Sequence, residues 1–187
     1  MKIMLQSRKK SSLAALLLCA AFLFIDQWTK CLAAIHLKGA EDVELIPHIV
    51  RFHYLQNEGA AFSIMQNKML FFYIVTPVFC AFVLWFFLHL PLKKRFLPLW
   101  WISVALMAGA LGNFIDRVRL HYVIDFIYIY AIHFPVFNIA DILVTLSMIC
   151  LIIAVIFVYK DEDYREIFER DKKDKKELDK KDSSYDP

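Results

Sequence analysis

The stretch VIDFIYIYAIHFPVFNIAD sets Asp125 and Asp141 at the two ends of an almost uncharged run. An ionisable side chain in hydrocarbon costs a few kcal/mol, and it usually marks a cavity, a partner or chemistry. Two carboxylates brought together without a basic partner do not both ionise easily, so one holds a proton near neutral pH while the other is a base. That is the pair an aspartic peptidase uses. The ionised member takes a proton from water as it attacks the scissile carbonyl, and the protonated member donates to the developing oxyanion. Residue types alone leave other pairings open among Asp26, Asp116, Asp125 and Asp141, and the proton relay of a small carrier uses the same materials.

The remaining polar residues of the apolar segments fall into short spacings. Asp26 and Lys30 stand four apart, so on a helix they share a face and pair, as a structural ion pair or as a substrate-orienting one. In GALGNFIDRV, Gly109 and Gly112 permit close helix approach, and Asn113, Asp116 and Arg117 follow at spacings of three and four. Asp116 beside Arg117 is expected to stay ionised as a supporting pair, leaving Asp125 and Asp141 without a counter-charge. Asn138 and Asp141 sit three apart at the start of a helix that Pro135 stops from extending backwards. Between them and Asp125, IYIYAI reads as an extended or re-entrant piece that folds Asp125 back toward Asp141, just inside the outer interface.

The elements that must hold these residues are membrane helices. Of the 187 residues, 59% are hydrophobic and 16% aromatic, too apolar for an ordinary soluble domain. Four runs are long enough to cross a bilayer, at about 13–35, 69–90, 97–115 and 138–159, each near the 20 residues a span needs. The first follows a basic SRKKSS and imitates a secretory signal, but its apolar run continues through Trp28 and Leu32 without a small-residue cleavage box, so it is expected to stay as a span. Lys and Arg cluster before the first span, in PLKKRF between the second and third, and after the fourth, which puts both termini in the cytoplasm and the first and third connections outside. In the first connection, the alternation Val50-Arg51-Phe52-His53-Tyr54 is a strand signature and Asn57-Glu58-Gly59 a turn signal. The fold class is therefore an all-α membrane protein of four transmembrane helices with a small external β-sheet, over about 43–66, between helices 1 and 2. Residues 1–160 form the membrane domain, and 161–187 a highly charged tail read as a solvated helix or disorder. Cys19, Cys31, Cys80 and Cys150 sit singly in apolar runs, and the six histidines are dispersed. No metal or other cofactor is implied, and nothing suggests nucleic acid.

Five ordered motifs then carry a resemblance: Phe24-Ile-Asp26-Gln-Trp-Thr-Lys30, Asn57-Glu-Gly59-Ala60-Ala61-Phe62-Ser63, Gly112-Asn113-Phe-Ile-Asp116-Arg117, Val123-Ile-Asp125-Phe126 and Phe137-Asn138-Ile-Ala140-Asp141. Over about residues 13–159 the chain resembles lipoprotein signal peptidase, the type II signal peptidase of bacteria. The resemblance implies an aspartic endopeptidase of the inner (cytoplasmic) membrane, acting on diacylglyceryl-modified prolipoproteins and cutting on the N-terminal side of the modified cysteine. It implies Asp125 and Asp141 as catalytic, with Asp26, Lys30, Asn57, Gly59, Asn113, Asp116, Arg117, Asn138 and Ala140 lining or supporting the site. Membrane lipids and globomycin-type inhibitors are its implied partners. One position departs from the family: His121 stands where members usually carry glycine, and histidine tolerates positive φ better than most residues. Two other classes keep the same acids in play, a proton-coupled carrier and a non-catalytic lipid-binding subunit.

Overall fold

A computed structural model describes residues 2–59 and 68–168 of the chain. Helix α1 runs Lys2–His36, strands β1 and β2 run Val43–Ile46 and Val50–Asn57, and α2 runs Lys68–His89. A 3₁₀ turn at Lys94–Phe96 leads into α3, Leu97–Leu120. Strand β3, Val123–Ile129, is followed by α4, Ile139–Ile153, which continues as a π turn over Ala154–Val158. A short α5, Asp161–Phe168, ends the described chain. The four helices long and apolar enough to cross a membrane cover Ser11–His36, Met69–His89, Lys94–Leu120 and Ile139–Val158. They agree with the four expected spans, except that the third continues to Leu120 and keeps Asp116 and Arg117 inside the helix.

Helix α3 is the hub, packing against α1, α2 and α4. Of its most apolar window 44% is buried, against 6–11% for the other three spans, whose outward faces are left for lipid. Without a hydrophobic drive between helices in lipid, close backbone approach must supply the packing. Two glycines provide it. A Cβ on Gly109 would stand 2.6 Å from the Ala140 carbonyl oxygen and 2.8 Å from Val144 Cγ2, both on α4. One on Gly112 would stand 2.5 Å from Asp26 Oδ2 of α1 and 3.2 Å from Ala140 Cβ.

The expected external sheet is present, and its third strand comes from the other long connection. The order is β1-β2-β3, antiparallel throughout. β2 pairs Leu55 with Asp125 and Asn57 with Val123, so the connection from α1 to α2 is stitched to the one from α3 to α4. Arg51 on β2 pins that seam. Its Nη1 donates to Asp42 Oδ2 at 2.9 Å, and its guanidinium lies 3.5 Å from the ring centre of Tyr130, just past β3. The strand signature is answered by β2. Residues 60–67, including Ala60-Ala61-Phe62-Ser63 and the end of the expected β segment, lie outside the described residues.

Where β3 begins, His121 caps α3 at φ 66°, ψ 14°, a left-handed conformation most residues avoid. Its Nδ1 lies 3.1 Å from the Tyr73 hydroxyl, which donates to the Arg117 carbonyl at 2.8 Å. The charged tail begins as a helix, as its composition suggests, but one edge of it is packed. Ile167 is 1% exposed in a cluster with Leu90, Phe96, Trp100 and Tyr159, and Asp163 pairs with Arg95 at 2.9 Å. Ile167 is the buried anchor, and the ion pairs of Asp163 and Glu166 with Arg95 and Lys93 flank it; 169–187 lie outside the described residues.

Replacing Gly109 or Gly112 by alanine should destabilise the bundle by about 1–3 kcal/mol, the usual cost of overpacking a tight interior. Thermal unfolding of the purified protein checks this, and unchanged melting would mean that α1 and α4 can retreat without loss.

Candidate active site

The site forms where β3 meets the start of α4. Phe137 exchanges backbone hydrogen bonds with Ile127 (N–H to O 3.0 Å one way, 2.8 Å the other), folding the Pro135 loop back along β3. One residue later the chain enters α4 through a capping box. Asn138, at φ −131° and ψ −177°, accepts from the Asp141 N–H at 3.0 Å, and Asp141 Oδ2 accepts from the Asn138 N–H at 3.1 Å. Each satisfies a backbone donor that a helix start would leave orphaned. The helix start thus sets the position of Asp141, and the strand that of Asp125.

Three side-chain amides join the carboxylates. Asn138 Nδ2 donates to Asp125 Oδ1 at 2.7 Å and Asn57 Nδ2 to Asp125 Oδ2 at 2.8 Å. Asn113 Nδ2 donates to Asp141 Oδ1 at 2.7 Å, and Asn138 Nδ2 also reaches Asn113 Oδ1 at 3.0 Å. Asn57 is itself aimed by the turn after β2, where Gly59, at φ 88°, donates its N–H to Asn57 Oδ1 at 2.8 Å. Every oxygen of the two carboxylates accepts from an N–H, and among the described residues neither carboxylate enters an ion pair. Counter-charge is close but not bonded: the charge of Lys30 acts on Asp125, and the charges of Asp141 and Asp125 act on Arg117.

The other two acids are consumed elsewhere. Lys30 Nζ lies 2.9 Å from Asp26 Oδ2, 3.0 Å from Asp116 Oδ2 and 2.9 Å from Asn113 Oδ1, at 1% exposure for the whole residue. Asp26 Oδ1 accepts from the Ala140 N–H of α4 at 2.9 Å, and Asp116 Oδ2 from the Ile124 N–H of β3 at 3.3 Å. Gln27, which the sequence reading passed over, donates to Asp116 Oδ1 at 2.9 Å and to the Gly112 carbonyl at 3.2 Å. Its signal was available: a lone amide beside Asp26 in an apolar span. The expected pairing of Asp116 with Arg117 is corrected. Adjacent helix residues point about 100° apart, so Asp116 turns to Lys30 while the Arg117 guanidinium lies 4.0 Å from the Phe72 ring centre. Arg117 Nη1 donates to the Asn113 carbonyl at 3.3 Å, with Asp141, Asp125 and Asp116 all near enough to act on its charge. All eleven candidate residues thus lie in or beside one site.

Burial is the main reason that the Asp125 carboxyl is pushed up to about 6. The charge of Asp141 raises it further, while the amides of Asn57 and Asn138 and the charge of Lys30 oppose the rise. Beside Phe126, the neighbour of Asp125, an apolar groove of about 230 Å³ opens between α1 and the sheet, lined by Thr29, Leu32, Ala33, His36, Phe52 and others. No group of acidic, histidine or cysteine residues suited to a metal ion occurs among the described residues.

Fold and site together define a class: a polytopic membrane protein with a carboxylate-rich polar site at one end of its helix bundle. The model of a protein family described as signal peptidase (SPase) II matches residues 18–157. A lipoprotein signal peptidase of Clostridium tetani is 41% identical over 152 residues, covering 78% of this chain and 94% of the relative. One from Enterococcus faecalis is 38% identical over 143 residues, covering 75% and 86%. A solved bacterial membrane enzyme superposes with a TM-score of 0.70 at 37% identity, over 78% of this chain and 94% of that one. The chain belongs to the signal peptidase II family, and with four apolar helices it is a multi-pass bacterial membrane protein.

Two outcomes follow. An acid whose folded pKa is raised lends stability that is complete below its unfolded value, 3.8, and lost as pH rises through about 6. Relative to wild type, Asp125→Asn should therefore gain stability between about pH 4 and pH 7, by on the order of 2–3 kcal/mol. Melting curves across that range would show the gain, and parallel curves would contradict it. Lys30→Met strands two buried carboxylates and should cost about 3–5 kcal/mol, with melting temperature and activity falling together. A loss of activity without a loss of stability would instead mean that Lys30 handles substrate.

Proposed function

We propose that this chain is an intramembrane aspartic endopeptidase that removes signal peptides from prolipoproteins, cutting on the N-terminal side of a diacylglyceryl-modified cysteine. The observation that carries the reading is the Asp125/Asp141 pair, held by amide donors with, among the described residues, no ion pair to either member. Asp125, buried and with its pKa raised to about 6, is the member that takes up a proton more readily than an ordinary carboxylate, and it acts as the acid. Asp141, partly exposed at the start of α4, is the base.

In the first step Asp141 takes a proton from water as the water oxygen bonds to the scissile carbonyl carbon. Asp125 gives its proton to the carbonyl oxygen, so no oxyanion is left bare in a site of low dielectric. In the second, the tetrahedral centre collapses: the C–N bond breaks, the proton held by Asp141 goes to the leaving nitrogen, and Asp125 recovers its own. No covalent intermediate is formed, and no cofactor enters. Asn57, Asn113 and Asn138 fix the carboxylates within the narrow tolerance such transfers need. Asp26, Lys30, Asp116, Arg117, Gly59 and Ala140 line or support that constellation.

The groove beside Phe126 suits the apolar part of a lipidated substrate, and globomycin-type inhibitors would occupy the same ground. The basic residues before the first span, between α2 and α3 and after α4 favour both termini in the cytoplasm of a bacterial inner membrane, with the carboxylates near the outer face. Residues 1–160 then form the peptidase domain and 161–187 a cytoplasmic extension. A proton-coupled carrier fits less well, because carrier sites lie near the bilayer midplane and Asp125 stands on a strand beyond the ends of the spans.

Purified protein should cleave a diacylglyceryl prolipoprotein, and Asp125→Asn or Asp141→Asn should each reduce the rate by at least about 10³-fold, the scale of losing one acid–base partner. Both variants should remain folded by circular dichroism. Turnover in either would overturn the assignment of the pair.

A further inference from the structure

At the opposite end of the bundle, α1 and the start of α3 enclose a cavity of about 250 Å³. Lys93, Lys94 and Ser11 stand among its lining, and Ala14, Ala15 and Val104 give it apolar walls. Trp100 and Trp101 complete it, the latter 51% exposed, as a residue of the interfacial belt would be. No acidic residue is among those lining it. Asp116 lies about 28 Å along α3 from Leu97, close to the thickness of a hydrocarbon core. The cavity is therefore at the membrane surface away from Asp125 and Asp141, and takes no part in the proposed reaction.

Its cations are unequally engaged. Helix α5 claims two of three consecutive ones, with Glu166 Oε1 2.5 Å from Lys93 Nζ and Asp163 Oδ2 2.9 Å from Arg95 Nη2. Among the described residues Lys94 has no ion-pair partner. A positively charged mouth over apolar walls at a bilayer interface fits one kind of molecule, a negatively charged headgroup that carries its own hydrocarbon chain. A free anion would leave the apolar walls uncovered, and a zwitterionic lipid would bring an ammonium toward the lysines.

We infer that this cavity binds an anionic phospholipid of the surrounding leaflet. The phosphate lies between Lys93, Lys94 and the Ser11 hydroxyl, and an acyl chain runs along Ala14, Ala15 and Val104. Because Glu166 already holds Lys93, the lipid phosphate and α5 compete for that ammonium.

The test uses the full chain in detergent micelles doped with phosphatidylglycerol, phosphatidylcholine or inorganic phosphate, following the melting temperature. Phosphatidylglycerol should raise it saturably, and the other two should not. The half-saturating fraction should rise about fivefold in Lys94→Gln and about 25-fold in the Lys93→Gln, Lys94→Gln double variant, and fall about fivefold in Glu166→Gln. Ala14→Trp, which fills the cavity and leaves both lysines in place, should abolish the effect. An equal response to phosphatidylcholine, a shift reproduced by inorganic phosphate, or unchanged half-saturation in the double variant or in Ala14→Trp would overturn the site. An unchanged value in Glu166→Gln would overturn the competition. Cleavage by each variant in lipid-free micelles shows that the fold is intact.

Discussion

One buried ammonium organises this protein. Lys30 lies between Asp26 and Asp116 and reaches Asn113, and through those three groups it touches nearly every element of the site. Asp26 holds the first turn of α4 by the Ala140 N–H, Asp116 holds the start of β3 by the Ile124 N–H, and Asn113 holds Asp141. Two charges of one sign and one of the other, all buried from bulk solvent, tolerate few arrangements. The position of Asp141 relative to Asp125 is inherited from that constraint. The cation that satisfies two acids forms no ion pair with the other two.

Packing and polarity depend on each other around that point. Gly112 leaves just the room that Asp26 needs, since a methyl group there would meet the carboxylate. Gly109 lets the carbonyl of Ala140 approach α3, which keeps the N-terminus of α4 within reach of α1. Small residues in membrane bundles are usually explained by helix contact alone. Here they also set the depth at which a polar network sits. At the far end a different device operates, in which Arg95 and Tyr159 lock the α2–α3 link to the start of the tail.

Much of this was legible in the residues. Four spans follow from runs of apolar residues, and β2 from the alternation around Arg51. The Asn138/Asp141 spacing announces a helix start, and the glycines of GALGN announce close approach. Less legible was anything that depends on a residue's direction rather than its spacing. Asp116 and Arg117 are neighbours in sequence and look in different directions on the helix, so their expected pairing gave way to one with Lys30. The third strand joined a sheet whose other strands lie some seventy positions earlier, a pairing that no local pattern encodes. Ile167, with the ion pairs of Asp163 and Glu166, docks a segment whose composition is otherwise that of a solvated helix. Choosing Asp125 and Asp141 from four acids was likewise beyond local reasoning, because the network that neutralises the others spans three helices and a strand.

The pairing of β2 with β3 also bears on how the molecule is made. Leu55 meets Asp125 across the sheet, and Asn57 reaches the same carboxylate, while Asp141 belongs to the last span. A chain entering the membrane from its N-terminus holds Asn57 long before it holds Asp125, and holds Asp125 before the helix that presents Asp141. Contacts of such sequence separation form late, after the intervening chain is in place. The proposed hydrolytic pair therefore has no partial form: a nascent chain with one, two or three helices inserted carries at most one of the two carboxylates. Among the unfolded polypeptides crowding an insertion site, the protein has no means of cutting a peptide bond until its own synthesis has passed the fourth helix.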